Sequence, residues 1–163
     1  MSSDRESERA AAFSSQLRQA HQVLRDWLAE IRAELGPGRP ADPGLPLRCL
    51  AFCSALARHH AGEDGGMFAE LLKARPDLGP TIGKLLEDHG LIAAILLQVR
   101  ELAARATEAP GKELPALRRE LEGLAAIAES HFGFEERAVS AALDDGIPDN
   151  GWSRRVFRAD RSH

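Results

Sequence analysis

The sequence contains no tyrosine and only two cysteines, Cys49 and Cys53. The missing tyrosine excludes a tyrosyl radical. The cysteines stand four residues apart in a helical stretch, so both thiols face one side without the paired C-x-x-C spacing of a zinc site. A disulfide within one helix has unfavourable geometry, and the pair reads as small core residues. No apolar run approaches the roughly 18 residues of a membrane span, which predicts a chain without membrane partners. Residues 1–9 carry charges and serines but lack the apolar centre of a secretory signal, which predicts a cytoplasmic protein. There is no long basic block, and 21 Lys+Arg against 25 Asp+Glu give a net charge of -4, which speaks against a nucleic-acid partner. One local exception is the C-terminus, where Arg154, Arg155, Arg158 and Arg161 cluster with Trp152 and Phe157 as a solvated or docked end.

What is present suits helices. The 163 residues, 44% hydrophobic and 28% charged, are enough for one domain with a continuous core. From Phe13 to Leu35, Leu17, His21, Leu24, Leu28, Ile31 and Leu35 recur at alternating steps of four and three, the period of one buried helical face. Gly and Pro break the pattern from Gly36 to Pro46. A second helix is expected from Leu47 to Lys73, with Phe52, Cys53, Leu56, His59, His60, Glu63 and Met67 on its inner face. Inside it, Gly65-Gly66 marks a bend, a close backbone approach or plain weakening. After turns at Arg75-Pro76-Asp77 and Gly79-Pro80, a third stripe reads Ile82, Leu85, His89, Ile92, Leu96 and Val99. Residues 107–111 interrupt, and a fourth stripe runs through Leu117, Leu121, Leu124, Ala128, His131, Glu135 and Ala138 to a stop near Gly146-Ile147-Pro148. Short turns favour antiparallel neighbours, so the expected fold is all-α, an up-and-down antiparallel four-helix bundle over 13–145, with an N-terminal extension (1–12) and an Arg-rich tail (146–163).

Each expected helix carries a histidine in its apolar seam, where a leucine would otherwise stand: His21, His59 or His60, His89 and His131. Glu63 follows His59 by four residues and Glu135 follows His131 by four, so each pair stacks on one helix face. A buried glutamate needs a salt bridge or a metal. Imidazole suits iron, zinc, copper or nickel and a carboxylate can bridge two cations, so the inventory favours a pair of non-haem irons over calcium or magnesium.

The pattern H, H-x-x-x-E, H, H-x-x-x-E across four helices resembles the hemerythrin-like family with its HHE cation-binding domain. The segments that carry it are the helix around Gln19-Ala20-His21, His59-His60-Ala61-Gly62-Glu63-Asp64, Glu87-Asp88-His89 and His131-Phe132-Gly133-Phe134-Glu135-Glu136. The resemblance implies a di-iron centre with an oxo or hydroxo bridge, Glu63 and Glu135 bridging, His21 and His59 on one iron, and His89 and His131 on the other. Oxygen-carrying hemerythrins have a further histidine where this chain has Leu85, and their last carboxylate comes one residue later, which argues against simple oxygen carriage. His60 has two readings: it replaces the missing ligand, or it pairs with Asp64 and orients other ligands. Two octahedral irons offer about twelve positions. Five histidines, two bridging carboxylates and one oxo or hydroxo bridge fill about eleven, so the role of His60 sets how many stay open.

The leading expectation is a binding protein for oxygen or a related small ligand, serving sensing, storage or redox response. The alternative is a di-iron enzyme that turns over hydrogen peroxide or nitric oxide, or an oxygenase. The third is a metal-free helical module whose tail docks a partner.

Overall fold

The structure is a computed structural model, and it describes residues 13–36, 42–108 and 110–158. The expected N-terminal extension, residues 37–41 of the first loop, residue 109 of the last interruption and Arg161 of the tail lie outside the described residues. The described residues are helical, with no strand among them. The helices are α1 (Phe13–Glu34), α2 (Leu45–Gly62), α3 (Phe68–Ala74), α4 (Gly79–Glu108), α5 (Pro110–Asp144) and α6 (Trp152–Phe157). No described helix is long and apolar enough to cross a membrane.

The stripes read from the sequence are the buried faces. Leu17, His21, Leu24, Leu28 and Ile31 are buried on α1, and Ile82, Leu85, His89, Ile92, Leu96 and Val99 on α4. On α5 the inner face continues through Val139 rather than Ala138, which is only partly buried. α1 packs on α2 and α5, and α4 packs on the same two. The start of α1 meets the end of α5, where Ser14 donates from its backbone N–H and its hydroxyl to Asp144. At the other end Arg118 of α5 donates to the Leu35 carbonyl, so α1 and α5 run in opposite directions.

The single second helix expected over 47–73 is α2 and α3 joined by a π-helical turn, Glu63–Met67, in which the Phe68 N–H bonds back to the Glu63 carbonyl. The cause lies in the spacing of the inner residues. His59, Glu63, Met67 and Leu71 are all buried and follow one another by four, and an α-helix with 3.6 residues per turn would drift about 40° at each such step. A π turn holds more residues and keeps all four facing inward; such turns recur at functional sites.

The described part of the tail carries a docked helix. α6 begins after Gly151, whose φ of 107° few other residues adopt, and Asp149 accepts from the N–H groups of Gly151 and Ser153 at 3.0 and 3.3 Å. Trp152 and Val156 of α6 are fully buried. A Cβ on Gly66 would overlap Trp152, and one on Gly62 would lie 2.7 Å from Arg155 Cβ, so both glycines serve close approach of α6. Gly65 faces open space.

The apolar interior falls into two clusters. One holds Leu24, Leu28, Phe52, Leu56, Ile92 and Leu124; the other holds Leu17, Met67, Phe68, Leu85, Val139 and Trp152. Along α1 and α4, His21 and His89 stand between the residues of one cluster and those of the other. A layer of histidine and glutamate thus crosses a dry core, where electrostatic interactions are strong.

Candidate metal centre

His21, His59, His60, Glu63, His89, His131 and Glu135 are all buried. Their ligand atoms form two groups: His60, Glu63, His89 and His131 in one, and His21, His59, Glu63 and Glu135 in the other, with the atoms of each group within 4.8 Å of one another. Glu63 belongs to both. Its Oε1 lies 3.6 Å from His59 Nε2 and 3.2 Å from His89 Nε2, a position between the groups. Each group offers imidazole nitrogen and carboxylate oxygen, a donor set for iron, zinc or manganese rather than for an oxygen-only cation such as calcium.

The rings are aimed by the nitrogen that faces away from the centre. His21 Nδ1–H donates to Glu136 at 2.7 Å, His89 Nδ1–H to Asp64 at 2.6 Å, His131 Nδ1–H to Asp88 at 3.1 Å and His59 Nδ1–H to the Val156 carbonyl at 2.7 Å. Carboxylates and carbonyls only accept, so these four rings hold the proton at Nδ1 and, when neutral, turn the Nε2 lone pair inward. Each partner comes from a helix other than its histidine's own, so the packing of the helices fixes the ring angles. Such partners also raise the basicity of a ligating imidazole.

His60 enters the first group, and its ring stacks on that of His89 at 3.8 Å between centroids. The pairing of His60 with Asp64 weighed from the sequence is not the one found, because Asp64 reaches His89 instead. Asp88, Glu136, Phe132 and Val156 have roles at the centre that the stripe pattern of the sequence does not reveal. Acidic residues adjacent to candidate ligands were the available signal for the first two. Phe132 stacks on His21 at 4.1 Å and covers that side of the centre.

Charge is arranged for a cation. Burial drives His59 down to about 3, with the nearby His21 charge adding to the effect, and it holds His60 well below its ordinary value. His89 is also lowered by burial, against the pull of Asp64. Burial would lower His21 too, but Glu135 and Glu136 outweigh it and raise the ring. Glu63 is pushed well above the carboxylate range by burial and by the negative charge of Glu135. Burial would also raise Glu135, yet contact with His21 holds it low.

The fit to a metal is tested by what these atoms lack. Nε2 of His21, His59 and His60 and both carboxylate oxygens of Glu63 and Glu135 are buried without an aligned hydrogen-bond partner. His21 Nε2 and Glu135 Oε1 lie 2.9 Å apart as an ion pair, so His59, His60 and Glu63 are the least compensated; at about 1–3 kcal/mol for an unsatisfied buried polar group, these three take a sizeable share of the stability of an ordinary domain, about 5–15 kcal/mol. In addition, His89 Nε2 and His131 Nε2 lie 3.1 Å apart, two lone pairs facing each other once both Nδ1 atoms hold protons. Cations placed among these atoms would satisfy them together.

The family model described as Hemerythrin HHE cation binding domain matches residues 12–143. The chain belongs to the hemerythrin HHE cation-binding family. No curated protein and no solved structure matches it. Every candidate residue read from the sequence falls within the matched hemerythrin HHE segment, whereas α6 and its contact with His59 lie beyond it.

Proposed function

We propose that this hemerythrin-like chain is a non-haem di-iron protein that binds oxygen or a related small ligand, for sensing, storage or redox response. The observation that carries the reading is the convergence of buried, inward-facing imidazole nitrogens and carboxylate oxygens, few of them in aligned hydrogen bonds, in two groups that share Glu63. In this reading the helices form an up-and-down four-helix bundle. His21 and His59 hold one iron; His60, His89 and His131 hold the other. Glu63 and Glu135 would be shared by the two irons, with an oxo or hydroxo group completing the pair. Such a pair supplies reversible binding of a small oxidant together with stored electrons.

The chain's own residues set the limits of that chemistry. Asp64, Asp88, Glu136 and the Val156 carbonyl keep the imidazoles aimed. The two apolar clusters exclude water on either side of the polar layer. A cavity of about 170 Å³ between α1 and α5 is lined by Leu24, Leu28, Phe52, Ala128 and Phe132, with Arg25 and Arg32 alongside. Phe132 lines this cavity and also stacks on His21.

The test is the ultraviolet-visible spectrum of reduced, iron-loaded protein exposed separately to oxygen and to hydrogen peroxide. A band that forms with oxygen and is reversed by its removal supports binding. Rapid loss of peroxide over many turnovers, with no stable oxygen spectrum, replaces it with the enzyme reading.

A further inference from the structure

We infer that the backbone carbonyl of Val156 is the positioning group for His59, so that α6 completes the His21–His59 half of the centre; the inference rests on the metal reading above. His21, His89 and His131 are each held by a carboxylate that lies within the segment matched by the family. His59 alone of the four is held from beyond that segment, and by a neutral carbonyl. The bond is buried, and Val156 and His59 are almost wholly shielded from water. A carbonyl only accepts, so the 2.7 Å bond places the ring proton at Nδ1 and leaves Nε2 free to bind a cation.

α6 is built to sit where it does. Trp152 fills a space beside Gly66, makes an edge contact with Phe13 at 5.3 Å and donates from Nε1 to the Pro148 carbonyl at 2.8 Å. One turn on, Arg155 and Val156 rest against Gly62, which lies between His59 and Glu63 in the chain. The two glycines therefore admit α6 along the helix that carries three candidate ligands. The histidines of the other half take their orientation from Asp64 in the π turn and Asp88 on α4. Undocking of α6 should loosen the His59 half more than the other, because the π turn under Trp152 also carries Asp64 and the shared Glu63.

The experiment uses two full-chain variants. Gly62→Ala favours α2 through helix propensity while placing a Cβ 2.7 Å from Arg155 Cβ. Trp152→Ala removes the anchor without touching α2. In metal-free, histidine-labelled protein, NMR should show loss or rapid exchange of the His59 Nδ1–H signal in both variants, while the signals of His21, His89 and His131 persist. Anaerobic titration with Fe(II) should show one metal weakened about 10–100-fold, the usual effect of removing a partner that orients a ligand, and the other clearly less affected. Retention of the His59 signal in both variants overturns the inference. So does equal weakening of both metals, or parent-like binding of both where the Val156 and Phe157 amides exchange faster. Failure of the parent protein to bind Fe(II) would sink the metal reading instead, and the NMR arm would still decide whether α6 orients His59.

Discussion

Glu63→Gln separates the two things that a buried glutamate can do. In the metal-free fold, burial and the charge of Glu135 keep Glu63 protonated well above its ordinary value of 4.5. A glutamine is a near-isostere of the protonated group, so near pH 4.5 the metal-free variant should match the parent within about 1 kcal/mol, the scale of one neutral hydrogen bond. The sign of the pH effect follows. A group whose pKa is raised by folding contributes its full share of stability below the unfolded value and loses it as pH rises toward the folded one. The parent therefore declines in stability above about pH 4.5 through Glu63, and the variant lacks that component. With metal the contrast reverses, because Glu63 faces both ligand groups and glutamine offers no negative charge. Iron at 100 times its Kd stabilises the parent by about 2.7 kcal/mol per site. For a chain of this length that is a rise of about 5–10 °C in Tm per site. Anaerobic scanning calorimetry with and without Fe(II) reads both quantities. A metal-free variant several kcal/mol less stable than the parent, or one that keeps the full metal-induced shift, would refute the reasoning.

His60→Leu keeps a buried apolar volume but removes one nitrogen from the group of His89 and His131; Fe(II) titration should show one site weakened at least about 10-fold and the other unchanged. Burial pushes the Cys49 and Cys53 thiols up to about 12 and about 11, so native protein at pH 8 should resist a thiol reagent until it is unfolded, when both react. Arg32 and Glu122 pair across α1 and α5 in a solvated position, and Arg32→Ala should lower stability by under about 1 kcal/mol in chemical denaturation.

The helical period makes most of the centre legible in the amino-acid sequence. His21, His89 and His131 stand where leucine would continue a stripe, and that replacement in three stripes at once has a chemical meaning of its own. The helix joining His59 to Met67 is less legible, because repeated steps of four also suit one straight helix; only when set against 3.6 residues per turn do they encode the π turn. Asp88 and Glu136 act on histidines of neighbouring helices, and only the packing shows which helix neighbours which. The Val156 carbonyl leaves no mark in a sequence, since every residue has one. Its trace is indirect, in Gly62 and Gly66, whose missing side chains make room for α6.

Elemental analysis of the purified protein against protein concentration decides whether the buried histidines and glutamates form a metal centre. Two irons per chain are expected, falling in the Glu63→Gln variant. A parent protein that takes up no metal when offered Fe(II), and remains fully folded, would contradict a metal centre.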